Sequence, residues 1–145
     1  MTVAADRAER EVAVWQQMSE IWFSFKPRLM EICREFDLFP PQVMVLRTLD
    51  EPKPMREVAT VLACNSSNLT GITDRLEDRD LVRRTSDPDD RRVKLLVLTE
   101  AGQELRQRVI ERMDVAPDTL GDFSDEELAQ LGALLEKLKP APADA

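Results

Sequence analysis

Apolar residues recur every three or four positions over most of this chain, the spacing that lines one face of an α-helix. Trp15, Met18, Trp22, Phe25, Leu29 and Ile32 form the longest such stripe and predict one helix from about Ala8 to Glu35. At 1.5 Å per residue it would span about 40 Å. Pro27 falls inside it and predicts a kink, because proline lacks an amide hydrogen and crowds the preceding turn. Val43, Leu46 and Leu49 mark a short helix from Pro41, ended by the breaker Asp50–Pro54. Val58, Ala59 and Leu62 place another at Met55–Leu62. A turn over Ala63–Ser66, where Asn65 or Ser66 can cap, opens a helix at Ser66–Arg79 with Leu69, Ile72 and Leu76 inward.

The period then changes to two. Val82–Thr85 and Arg91–Leu98 read as strands joined by the polar turn Ser86–Asp90, with Val93, Leu95 and Val97 on one face. Helical spacing returns after Thr99, a cap, and runs to about Val115, just before Pro117. Ser124 and Glu127 have capping-box spacing and start a last helix faced by Leu128, Leu131, Leu134, Leu135 and Leu138. The segment 140–145, rich in Pro and Ala, predicts a frayed tail. The fold class is mainly α (α+β): one long helix, three short ones, a two-stranded hairpin and two C-terminal helices. A chain of 145 residues, 43% apolar, suits one domain over 1–145.

Composition removes several kinds of chemistry. The chain has no histidine, which excludes His-ligated metals, a Ser-His-Asp triad and imidazole acid–base catalysis. Cys33 and Cys64 are too few for a disulfide scaffold or a four-cysteine zinc site. Neither a glycine-rich phosphate loop nor a spaced carboxylate motif appears, so an enzyme is not expected and no cofactor is implied. No apolar run approaches a membrane span and the N-terminus lacks a secretory pattern, so a soluble cytoplasmic protein is expected. Net charge is −8, yet residues 74–94 hold seven basic and seven acidic side chains, so the rest of the chain carries the whole deficit. The middle is the least negative part of an acidic protein, which permits a polyanionic partner there.

Residues 55–98 read as two short helices, a tight turn and a hairpin, which is the plan of a winged helix-turn-helix. A major groove about 12 Å wide admits one helix while the helix before it braces the backbone. Ser66, Ser67, Asn68, Thr70 and Thr73 give the second helix a small, polar face opposite Leu69, Ile72 and Leu76, suited to close approach. Gly71 costs that helix about 1 kcal/mol relative to alanine. Either close approach to DNA or close packing on a neighbouring helix accounts for it. Arg83, Arg84, Arg91, Arg92 and Lys94 surround the hairpin tip, and arginine at such a tip fits the electronegative minor groove. Asp87, Asp89 and Asp90 either hold an arginine in a fixed pose or simply shape the turn.

The run Asp87-Pro-Asp-Asp-Arg-Arg92, continuing Val-Lys-Leu-Leu-Val-Leu98-Thr99-Glu-Ala-Gly102, closely resembles the wing signature of the MarR family of regulators. Met55–Ala59 and Asn68–Val82 resemble its two helix-turn-helix segments, and Phe39–Leu46 is similar to its second helix. The resemblance implies a homodimeric transcription factor, usually a repressor, that responds to a small ligand and binds double-stranded DNA at palindromic operators. It puts the winged lobe at 41–98 and the dimerisation helices at 1–38 and 100–139. It implies that Arg92 enters the minor groove with Asp90 as its carboxylate partner, that Ser66, Ser67, Asn68, Thr70 and Thr73 meet bases and phosphates, and that Arg75 is a phosphate or scaffold arginine. Asp80 departs from the family's usual glycine, though aspartate tolerates the left-handed conformation. Arg84 and Arg91 join this set as wing cations.

Two-fold symmetry has an argument of its own, since two winged helices on a dyad read half-sites about 34 Å apart. The stripe on the first helix is either core or half of such a dimer seam. Family members commonly take small aromatic or phenolic anions between dimer helices and the DNA-binding lobe. The matching material here is Trp15, Met18, Trp22, Phe25, Met30, Phe39 and Met44, each either core or pocket, with Arg28 and Arg47 either as cations for a carboxylate or as exposed surface. Two rival readings stand beside this one: a cysteine-based redox sensor of the same fold, and a winged protein–protein adaptor.

Overall fold

The computed structural model describes residues 3–139; the expected tail at 140–145 lies outside them. Two compact bodies appear, one reaching to Met113 and one beginning at Asp114. In chain order the first holds α1 (Val3–Phe36), α2 (Pro40–Thr48), β1 (Lys53–Pro54), α3 (Met55–Val61), α4 (Ser66–Glu77), β2 (Val82–Ser86), β3 (Lys94–Leu98) and α5 (Glu100–Met113). The second holds a 3-10 turn (Asp118–Asp122) and α6 (Asp125–Glu136).

The long first helix is longer than expected, 34 residues, and Pro27 does not end it. Only its C-terminal end joins the core. Ile32, Cys33 and Phe36 are buried and Leu29 packs against them half-buried, whereas most of the stripe ahead of Leu29 is open, with Trp15 67% and Trp22 70% exposed. Periodicity marks a face that avoids water but does not say what covers it, so the stripe and the core separate here. A left-handed Asp37 (φ 52°) closes α1, and Arg79 donates to the carbonyls of Asp37 and Phe36 at 2.5 and 3.2 Å. That bond ties the end of the long helix to the segment after α4.

The core is built from Val43, Val45, Leu46 and Leu49 of the α2 region, Val58 of α3, Leu69 and Leu76 of α4, Val82 and Leu96 of the sheet and Val109 of α5. Each fully buried leucine or valine contributes about 1.5–3 kcal/mol relative to leaving it in water. The strand alternation places Leu96 and Leu98 inward. Val93, Leu95 and Val97, expected to share a face, therefore lie on the half-exposed side, the opposite one from the core.

The sheet has a third strand that the breaker Asp50–Pro54 concealed. β1 pairs antiparallel with β3 (Lys53 opposite Leu96), and β2 pairs with its other edge (Val82 opposite Leu98, Ser86 opposite Lys94), giving the order β1-β3-β2. A two-residue strand leaves no alternation to read, and Pro54 suits it because an edge strand can lack a donor. β3 begins at Lys94, so Arg91 and Arg92, expected at the start of the returning strand, instead belong to the turn.

Thr99 joins the sheet to α5: its hydroxyl accepts from the Gly102 amide at 3.0 Å and donates to the Asp80 carbonyl at 2.5 Å. Asp80 is left-handed at φ 55°, as expected for aspartate in a glycine's usual place. Gly102 is required by packing, because a Cβ there would overlap the Leu81 carbonyl oxygen. In the second body the Ser124–Glu127 capping box is formed, with bonds of 3.2 and 2.8 Å. The Ser124 amide and hydroxyl hold the Glu127 carboxyl below its ordinary range. Leu134, Leu135 and Leu138 on this body are exposed. No helix among the described residues is long and apolar enough to cross a membrane.

Candidate nucleic-acid interface

The turn between α3 and α4 closes through Ala63, which is left-handed at φ 49°, and through the Cys64 amide donating to the Ala59 carbonyl at 3.0 Å. Asn65 is the cap of α4, its side-chain oxygen accepting from the Asn68 amide at 2.8 Å. The start of α4 is thus fixed by its own sequence before any partner arrives.

The faces of α4 differ from expectation at one position. Ser66, Ser67, Asn68, Thr70, Gly71 and Arg75 are exposed, while Leu69 and Leu76 are buried and Ile72 is half-buried. Thr73 is fully buried. It stands four residues after Leu69 and three before Leu76, so helical geometry puts it on the inner side despite its hydroxyl. Thr73 is therefore removed from the polar outer face. Its hydroxyl bonds to the Leu69 and Thr70 carbonyls, each at 3.0 Å. The exposed Thr70 hydroxyl donates to the Ser66 carbonyl at 2.9 Å. Among the described residues a Cβ on Gly71 would meet nothing within 4 Å, so no neighbouring helix of this chain accounts for that glycine.

Arg84 also occupies a different position from the one expected of a wing cation. It is half-buried and turned onto α4, where its guanidinium bonds to Glu77, to the Thr73 hydroxyl, to Asp74 at 2.7 Å and to the Thr70 carbonyl at 3.2 Å. Its own amide donates to Glu77 at 2.9 Å. Arg84 is a clamp between wing and helix, with its donors used inside the protein. Strand alternation carries this signal only in hindsight, because the acidic partners Asp74 and Glu77 lie in another element.

At the wing tip the acidic residues organise main chain. The Asp87 carboxylate accepts from the amides of Asp89 and Asp90 at 2.8 and 3.3 Å. The Asp90 carboxylate accepts from the Arg92 amide at 3.0 Å, not from its guanidinium as the resemblance implied. The Val93 amide donates to the Asp90 carbonyl at 2.9 Å and closes the turn. An aspartate two residues before an amide is well placed for this local bond, which competes with a longer-range ion pair. Arg91 and Arg92 are left exposed, with no ion pair from either guanidinium among the described residues. Lys94 donates to Ser86 at 2.8 Å across the base of the tip. Arg75 sits with its guanidinium 5.9 Å from the Phe39 ring.

The proposed effector residues are not gathered within the chain. Trp15, Trp22, Phe25 and Phe39 are exposed and Met18 and Met44 half-buried. A cavity of about 330 Å³ lies elsewhere, lined by residues that include Leu49, Glu51, Val97, Gln103 and Arg106. Arg106 is tied there to the Leu46 carbonyl at 3.1 Å. Of the two thiols, Cys33 is buried and burial pushes its pKa up, the reverse of what a reactive thiolate needs; Cys64 is half-buried. No group of three His, Cys, Asp or Glu side chains among the described residues could hold a metal ion.

The family model described as MarR matches residues 38–94. YsmB of Bacillus subtilis (strain 168), described as an uncharacterized HTH-type transcriptional regulator, is 33% identical over 117 residues, covering 79% of this chain and 80% of that protein. Among solved structures, a MarR family protein from Bacillus stearothermophilus superposes with a TM-score of 0.77 at 30% identity, covering 90% of this chain and 94% of its own. CouR from Rhodococcus jostii RHA1, bound to p-coumaroyl-CoA, gives a TM-score of 0.73 at 27% identity over 90% of this chain and 95% of its own.

Proposed function

The chain belongs to the MarR family, and we infer from that premise that it is a sequence-specific, double-stranded DNA-binding transcriptional regulator. We propose a homodimer that represses from palindromic operators, with α4 of each subunit in a major groove and each wing tip in the adjoining minor groove. One observation carries this reading. The small polar outer face of α4 and the exposed Arg91 and Arg92 belong to one unit, because Arg84 bonds the strand that leads to the tip onto the helix itself. A rigid pair of elements can engage two neighbouring grooves at little ordering cost.

The homodimer reading draws support from uncovered apolar surface: Trp15, Trp22 and Phe25 on α1, and Leu134, Leu135 and Leu138 in the second body. Surface of this kind marks an interaction site. The effector reading is a small aromatic or phenolic molecule, held by Trp15, Met18, Trp22, Phe25, Phe39 and Met44 once a second copy encloses them, and releasing DNA in the cytoplasm. The p-coumaroyl ligand of CouR is a phenolic precedent in this fold.

The test is selection of bound duplexes from a random library, followed by affinity measurements against salt. An enriched palindrome and a steep fall in affinity with added salt are expected. Arg92→Ala should weaken binding, lower the salt slope by about two because each subunit loses one cation, and leave the dimer intact. Equal affinity for palindromic and unrelated duplexes in the wild type, or full affinity in Arg92→Ala, would overturn the assignment.

A further inference from the structure

The outer face of α4 carries few side chains able to tell one base from another. Ser66 and Ser67 each offer a rotatable hydroxyl that donates or accepts with equal ease, so neither selects a base edge. The Thr70 hydroxyl already donates to the Ser66 carbonyl. Asp74 is held by Arg84 at 2.7 Å, and Arg75 lies against the Phe39 ring towards the start of α2. Asn68 differs from all of these. Its side-chain amide is exposed and makes no hydrogen bond among the described residues, while its backbone amide is pinned by Asn65. The two asparagines three positions apart thus divide their tasks: Asn65 builds the helix start, and Asn68 projects an unused amide from it.

We propose that Asn68 is the base-discriminating residue of α4 and that it reads an adenine at one symmetric position of each half-site. This rests on the regulator reading above and adds the residue and the base pair. A carboxamide offers an acceptor and a donor side by side. In the major groove, adenine presents the matching N6–H donor and N7 acceptor, whereas guanine shows two acceptors, cytosine a lone donor and thymine an acceptor beside a methyl group. Asparagine is short, so the helix must come close for both bonds to form. Gly71, one turn further along the same flank with nothing within 4 Å of its missing Cβ, gives that clearance.

The experiment is duplex selection from a random library with the full-length wild type, Asn68→Ala and Asn68→Asp, followed by competition with every single-base variant of the enriched site. In the wild type, one position per half-site should prefer adenine by about tenfold or more. Asn68→Ala should level that position to within about twofold and keep the other preferences. Asn68→Asp, with an acceptor-only carboxylate of the same size, should move the preference to cytosine. Among the described residues the side chain has no partner to lose, and thermal melting should confirm that both variants fold. An adenine preference that survives in Asn68→Ala, or a loss of affinity equal for operator and unrelated duplex, would overturn the proposal. Failure of the wild type to enrich any site is a different result and defeats the regulator reading itself.

Discussion

Arg84 in β2 donates to the buried hydroxyl of Thr73 in α4, so the strand leading to the wing tip is fastened to the helix proposed to enter the major groove. The same guanidinium reaches Asp74, Glu77 and the Thr70 carbonyl. Replacing Arg84 by alanine strands these acceptors, and a loss of about 1–3 kcal/mol in stability is expected. Arg84→Lys keeps the charge but loses the planar fork that reaches several acceptors together, so it should recover only part of that loss. Urea unfolding of both variants measures this. DNA affinity should fall further than stability alone explains, because the wing is no longer held at a fixed angle. Wild-type affinity in a folded Arg84→Ala protein would show that the clamp is not needed for binding.

Much of this fold was legible because its signals are local. The Asn65 cap, the Ser124–Glu127 box and the period change at Val82 each depend on neighbours within a few residues. The departures have separate causes. Thr73 and Arg84 are polar, and a polar side chain reads as an outward one; Thr73 instead follows the spacing of Leu69 and Leu76 and bonds to its own helix, whereas Arg84 has its acidic partners in another element. β1 was missed because two residues carry no period, and its evidence lies in its pairing with Leu95 and Leu96. At the site, the exposed arginines of the tip were visible in composition, whereas the bond from Asp90 to the Arg92 amide depends on a turn geometry that charge counting cannot see.

Gly71 and Gly102 look alike in the sequence and should respond oppositely to alanine. Nothing lies within 4 Å of a Cβ at Gly71, so Gly71→Ala should stabilise α4 by about 1 kcal/mol through helix propensity while weakening operator binding. At Gly102 a Cβ would strike the backbone of Leu81, which cannot yield like a flexible side chain. Gly102→Ala should cost about 1–3 kcal/mol, as overpacking does. Chemical denaturation of the two variants beside wild type measures both signs at once, and destabilisation by Gly71→Ala would refute the open-surface reading.

The thiols should separate in reactivity. An aromatic disulfide reagent should label half-buried Cys64 in the native state and reach buried Cys33 only as the protein unfolds. Burial also gives Cys33 a linkage to pH. Its folded pKa lies above that of an unfolded thiol, about 8.5, so its contribution to stability is complete below the unfolded value and is lost as pH rises from there through the folded pKa. The drop in urea midpoint between pH 7 and pH 10 should therefore be smaller in Cys33→Ala than in wild type. Fast native labelling of Cys33, with loss of operator binding, would instead favour a redox sensor.

Trp15 and Trp22, the two tryptophans of the chain, stand 67% and 70% exposed on the same stripe of α1. Most of that helix ahead of Leu29 touches little of its own chain, and an isolated helix gains little stability from propensity alone. A second copy covering the stripe would supply the missing burial and move both indoles out of water. Sedimentation at micromolar concentration should give twice the 16.6 kDa chain mass, with tryptophan emission shifting to the red as dilution separates the subunits. Trp22→Glu places a charge within that seam and should leave a monomer that has lost part of its helical circular dichroism, since the uncovered helix end frays. Its operator affinity should fall steeply, because a single winged lobe engages one half-site. A wild-type protein that sediments at 16.6 kDa while binding its operator tightly would refute the homodimer and leave the stripe without its occupant.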